Sequence, residues 1–110
     1  MPDQPGQPAD LFWAVSAAAL THDDVSASTM MGLPCLRVRG AFFASRDHRS
    51  GELIVKLPRE RVAQLIEAGT GKPFAPAGRT FREWVQIGDR SEDRWGELIE
   101  EARIFVGGHR

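Results

Sequence analysis

The chain has 110 residues, a formal net charge of −1, 42% hydrophobic and 26% charged residues. This is the balance of one ordinary globular domain, with no room for a second core. Its apolar runs stop well short of the roughly 20 residues that cross a bilayer, and its single cysteine rules out an internal disulfide.

Residues 1–9, with three prolines and two glutamines, read as a disordered lead-in that can bury nothing. The acidic, Pro-rich start lacks the basic and apolar regions of a secretory signal, which predicts a cytoplasmic chain with no membrane partner. One domain is expected over residues 10–107, with a short tail at 108–110. Its first helix should open at Asp10 as N-cap and run to about Thr21. Leu11, Val15, Ala18 and Ala19 share one face there, with Phe12 beside them and Trp13 off the stripe. His22-Asp23-Asp24 ends it, and Val25 to Thr29 reads as a small, polar connection.

The first strand is expected at Cys35 to Arg39, where Leu36 and Val38 alternate with Arg37 and Arg39. Gly40 marks the turn into Ala41-Phe42-Phe43-Ala44-Ser45. The polar stretch from Arg46 to Gly51 makes a long hairpin loop. A third strand spans Glu52 to Leu57, with Leu53, Val55 and Leu57 on one face and Glu52, Ile54 and Lys56 on the other. Pro58 then opens a helix whose Val62, Leu65 and Ile66 form an apolar stripe and whose Gly69 is a C-terminal stop. A Pro/Gly loop around Phe74 leads to a fourth strand at Thr80 to Ile87. Phe81, Val85 and Ile87 take one of its faces, Arg82, Trp84 and Gln86 the other. The last helix, capped by Asp89 or Ser91, stacks Trp95, Leu98, Ile99, Ala102, Phe105 and Val106 and ends at Gly107-Gly108. Glu97, Glu100, Glu101 and Arg103 face solvent. The sum is an α+β domain with a mostly antiparallel, four-stranded sheet and three helices packed on it.

No catalytic, cofactor or metal signature emerges. Gly69-Thr70-Gly71-Lys72 is not a phosphate loop, because Ile66 stands where such a loop needs glycine and Pro73 where it needs Ser or Thr. His22, His48 and His109 lie in separate loops or ends, without metal-ligand spacing. The adjacent pairs Asp23-Asp24 and Glu100-Glu101 project in different directions on regular structure, so solvated charge is the expected reading. Cys35, beside Pro34 in an apolar strand, reads as a small buried hydrophobe. The chain is therefore expected to be non-enzymatic.

Charge is segregated along the chain: residues 1–30 carry −4, 31–82 carry +6 and 83–110 carry −3, with twelve Arg to two Lys. Arg37, Arg39, Lys56, Arg82 and Trp84 fall on strand faces opposite the apolar ones, and Arg46 and Arg49 extend them from the hairpin. Such a surface suits phosphates through arginine and an exposed base through tryptophan, which makes DNA or RNA one expected partner and a protein another. The alternative is a protein- or small-ligand-binding module, working as a monomer or weak homodimer, in which these charges merely keep a sheet soluble.

The line P-C-L-R-V-R-G-A-F-F-A, a hairpin, G-E-L-I-V-K-L, a short helix, the loop around Phe74, R-E-W-V-Q-I and a closing amphipathic helix resembles the MmcQ/YjbR and TfoX N-terminal group of small bacterial domains. The similarity runs from about Asp10 to Val106. Its most specific elements are Gly32-x-Pro34, Arg39 to Ala44, Val55-Lys56-Leu57 and Trp84-Val85. The resemblance implies a compact α+β fold and a role in DNA binding or transcriptional regulation, with natural competence as the connection for TfoX-like proteins. It implies no set of functional residues.

Overall fold

The computed structural model describes residues 8–30, 32–47 and 49–108. The lead-in before Pro8, His48, and the tail from His109 lie outside the described residues. The chain runs α1 (Pro8–Ala19), β1 (Val25–Met30), β2 (Leu33–Val38), β3 (Ala41–Arg46), β4 (Leu53–Lys56), α2 (Arg59–Glu67), β5 (Gly71–Pro73), a 3₁₀ turn (Pro76–Gly78), β6 (Trp84–Ile87) and α3 (Glu92–Gly107). The α+β class and three helices are as expected, but the sheet has six strands, all antiparallel, in the order β1-β2-β3-β4-β6-β5.

Both unexpected strands sit at the edges. β1 is the stretch read as a polar connection, and its small Ser, Ala and Thr side chains carry no apolar alternation to announce a strand. β5 is three residues of the expected loop. The fourth expected strand is shorter than read: the chain turns at Arg82-Glu83 and pairs with β4 only from Trp84. Phe81 therefore leaves the core face and is 38% exposed.

The β2–β3 hairpin closes through two residues, Arg39 at φ +54° and Gly40 at φ +86°. Positive φ at both central positions is the type I′ geometry that matches strand twist. Along β3 the register slips where Leu36 faces Ala44 but Arg37 faces Phe42. This bulge turns Phe43 and Ala44, both fully buried, toward the helices and leaves Phe42 on the opposite side. The longer β3–β4 loop is organised by Asp47, whose Oδ2 accepts from the backbone N–H of Ser50 (2.9 Å) and of Arg49 (3.1 Å) and from the Ser50 hydroxyl (2.9 Å). Those bonds, the Ser50 amide first, hold its carboxyl below the usual range.

The three helices share one core on one face of the sheet. Trp95, Leu98, Ile99 and Ala102 of α3 meet Leu36, Val38, Phe43, Leu53, Val55, Val85 and Ile87, joined by Val62 and Leu65 of α2. Trp95 is the anchor: its ring is fully buried and Nε1 donates to the Asp89 carbonyl at 2.6 Å. Ser91 caps α3, accepting from the Arg94 amide at 3.2 Å. In α1 the buried line is Phe12, Ser16 and Ala19, while Leu11 and Val15 flank it and Ala18 is exposed. The stripe is rotated from the expected one because the Ser16 hydroxyl donates to the Phe12 carbonyl and so counts as satisfied inside the core. The acidic face of α3 is likewise tied rather than free: Glu100 pairs with Arg103, and Glu101 receives Arg61 of α2 at 2.8 Å.

Candidate functional site

Among the described residues no helix packs on the other face of the sheet, and strand alternation assigns its residues. One row crosses its middle: Cys35, Ser45, Ile54 and Gln86 are successive register partners. The first three are at most 3% exposed, so Ile54, expected on the polar side, is buried there. Cys35 is fully enclosed, and burial pushes its thiol up despite the charge of Arg37, which suits a packing role. The Ser45 hydroxyl donates to the Pro34 carbonyl at 3.0 Å.

Toward the end of the sheet that carries the Arg39-Gly40 turn, this face changes character. Arg37 lays its guanidinium 4.4 Å from the ring centre of Phe42, its register partner on β3. Across β4 and β6, Lys56 faces Trp84, with the ammonium 5.9 Å from the ring. Phe74 follows at 6.3 Å from Trp84, Phe81 lies 5.9 Å beyond Phe74, and Arg79 sits 5.5 Å over Phe81. Three cation-on-ring pairs thus share one surface at one end of the sheet.

That surface runs into a cleft of about 590 Å³ between α2 and the strap from Thr80 to Trp84. Val62, Ala63, Ile66 and Pro73 give it an apolar floor, Phe81 and Trp84 belong to both cleft and row, and Arg59, Arg82 and Glu60 stand among its lining.

Of the seven residues expected to form a basic surface, Arg37, Lys56 and Trp84 lie in this row and Arg82 lines the cleft. The others are dispersed. Arg39 occupies the hairpin turn, largely exposed, with a loose ion pair to Asp24 at 3.7 Å. Arg46 and Arg49 belong to the far end of the sheet; Arg46 pairs in register with Leu53 of the helix side, and Arg49 is in the Asp47 loop. Nor is every cation free: Lys56 has Glu83 at 3.6 Å, and Lys72 has Glu52 at 3.1 Å. Burial alone would raise the Glu52 carboxyl, but bonds from Gln86 and Lys72 hold it below its usual range. Arg37, Arg59, Arg79 and Arg82 have no ion pair among the described residues.

The row also contains residues that sequence reasoning passed over: Phe42, Phe74, Phe81 and Arg79. The double aromatic Phe42-Phe43 held the signal for the first, since adjacent residues on a strand point to opposite faces and one of two neighbouring rings must leave the core side. Among the described residues, no three of His, Cys, Asp and Glu come together as metal ligands. No helix among them is long and apolar enough to cross a membrane. No family model, curated protein or solved structure matches the chain.

Proposed function

We propose that this chain is a non-enzymatic binding domain of the MmcQ/YjbR and TfoX N-terminal type that takes single-stranded nucleic acid across the open end of its sheet. The observation that carries the reading is the series of paired cations and rings, Arg37–Phe42, Lys56–Trp84 and Arg79–Phe81, on one surface. Bases stack on aromatic faces whatever their sequence, while arginines meet the phosphates between them. Duplex DNA suits the surface less well, because among the described residues no helix or ribbon projects from it to enter a groove. A transcription-related role follows from the resemblance, and the partner is DNA or RNA in single-stranded form.

The test is fluorescence anisotropy with labelled oligo-dT and with a duplex of equal length, at 50 and 200 mM salt. If Arg37, Arg59, Arg79 and Arg82 each neutralise one phosphate, the log-log salt slope for a single strand is about −3, and the fourfold rise in salt weakens binding about 50-fold. Absence of saturable binding at 50 mM removes the reading.

The cleft favours a second reading. Its apolar floor with Arg59 and Arg82 in the lining suits a small anionic ligand with an apolar body, bound in place of nucleic acid. A small-ligand module would show no oligonucleotide binding, yet would be stabilised against heat by such a compound.

A further inference from the structure

The two edges of the sheet are built differently. β5 carries the usual protections against edge-to-edge pairing: it is three residues long, with an exposed Lys72 and then Pro73. β1, Val-Ser-Ala-Ser-Thr-Met, carries none. It is six residues long, holds no charge, proline or glycine, and among the described residues pairs with β2 on one side only. From this contrast we infer that β1 is a docking edge, and that its occupant is β1 of a second copy of this chain, forming one continuous antiparallel sheet about a two-fold axis at Ala27.

Hydrogen-bond alternation supplies the register. The Asp24 carbonyl accepts from the Arg39 amide at 2.8 Å, so Asp24 bonds toward β2. In an antiparallel ladder the inward-bonding residues alternate, which makes Ser26 and Ser28 the next two and turns the backbone groups of Val25, Ala27 and Thr29 outward. The Val25 amide agrees, since it donates backwards to the His22 carbonyl at 3.1 Å rather than to β2. The outward set is therefore the Val25 carbonyl and both groups of Ala27 and Thr29.

Rotation about Ala27 matches this set to itself. Ala27 exchanges both bonds with its symmetry mate, and each Thr29 amide donates to the opposing Val25 carbonyl. A register in which Ala27 meets Ala27 and Ser26 meets Ser28 pairs residues of like parity, so both helix layers stay on the same side. A peptide of another protein would form the same ladder, but the self-match of donors, acceptors and small side chains favours the second copy. The contact is one strand pair between small side chains, which makes it a weak, concentration-dependent dimer.

Sedimentation equilibrium of the full chain from 1 to 500 μM tests this. The weight-average mass should climb from 12.2 kDa toward twice that value. Ala27→Pro removes an outward donor while sparing the β1–β2 bonds, and Ala27→Lys sets two like charges on the axis. Each should abolish the rise, with the circular dichroism spectrum unchanged for at least Ala27→Lys, whose site is exposed. Cysteine cross-linking reads the register. In a Cys35→Ala background, needed because Cys35 is the register partner of Ser28 within the chain, Ala27→Cys should form a disulfide-linked dimer on mild oxidation and Ser26→Cys alone should not, whereas the Ser26→Cys, Ser28→Cys double variant should. A chain that stays monomeric across the range overturns the proposal, as does a dimer that survives Ala27→Lys or cross-links through Ser26→Cys alone. None of these readouts involves nucleic acid, so the proposal stands or falls separately from the functional reading.

Discussion

Replacing Trp84 with Ala removes the ring on which the row turns, between Lys56 at 5.9 Å and Phe74 at 6.3 Å. Losing one stacked base costs about 1–3 kcal/mol, and at about 1.4 kcal/mol per factor of ten this is a fall in oligo-dT affinity of about 5- to 150-fold. The fold should survive. Trp84 is only half-buried, and its strand is held by Val85 and Ile87, both fully enclosed, so the stability loss should be about 1–2 kcal/mol, from ring contact and area. For a domain of this size that is about 5–15 °C in Tm. Anisotropy titration at 50 mM salt, with differential scanning fluorimetry alongside, separates the two effects. Trp84→Phe keeps a stacking ring and should recover most of the affinity, while Trp13→Ala, whose ring packs on Phe12 in α1, should leave it unchanged. Equal affinity within twofold for Trp84→Ala and the parent would refute the stacking argument, whatever the arginine variants do.

Further outcomes follow from the same contacts. Arg37→Ala should flatten the salt slope for oligo-dT by about 0.7, one phosphate's worth, whereas Arg46→Ala, at the far end of the sheet, should leave it as it was. Gly71→Ala would set a Cβ 2.5 Å from Val85 Cγ2 and 3.3 Å from Ile87 Cδ1; both neighbours are buried, so the expected cost is about 1–3 kcal/mol in a urea melt. The Asp47, Glu52 and Glu100 carboxyls are all held below their unfolded values near 4. Their contribution is thus complete above about pH 4 and disappears as pH falls through the lower, folded values; Asp47→Asn should flatten this acid limb in urea midpoints measured from pH 2 to 7. Alkylation of Cys35 by iodoacetamide at pH 8 should proceed only as the chain unfolds, and reaction at the rate of a free thiol would contradict its enclosure.

The legible parts of the fold were those in which side-chain chemistry and backbone period agree. Leu53, Val55 and Leu57, Trp95 through Ala102, and the glycine at position 69 each announce their element by spacing or by φ. β1 was hidden because its residues are small, and a small residue fits either face of an edge strand without disturbing a pattern. β5 was hidden because Gly71 and Pro73 are loop residues by propensity; Gly71 is needed there only because Val85 leaves no space for a side chain. The site was half legible for a similar reason. Alternation placed Arg37, Lys56 and Trp84 on one face, but the sequence carries no signal that Glu83 would reach back to Lys56, or that Arg46 would fall at the opposite end.

The burial of Cys35, Ser45 and Ile54 bears on how such a face could work. A sheet surface that was polar throughout would bind phosphates with side chains free to move, at a cost of about 0.5–1.5 kcal/mol for each one immobilised. Here the middle row is enclosed, and the Arg37 Nε is already out of solvent with no hydrogen-bond partner among the described residues, its guanidinium lying on Phe42. Part of that immobilisation has been met by folding. The same contact withholds Nε from water while no carboxylate among the described residues neutralises the charge, so an incoming phosphate would compete with little except solvent at the outer nitrogens. Lys56 stands in contrast, because Glu83 already occupies it. If the surface takes an anion, Arg37 should therefore contribute more to affinity than Lys56, although both lie against a ring. Glu83→Gln should narrow that difference by releasing Lys56, and a double-mutant cycle across Glu83 and Lys56 would measure by how much.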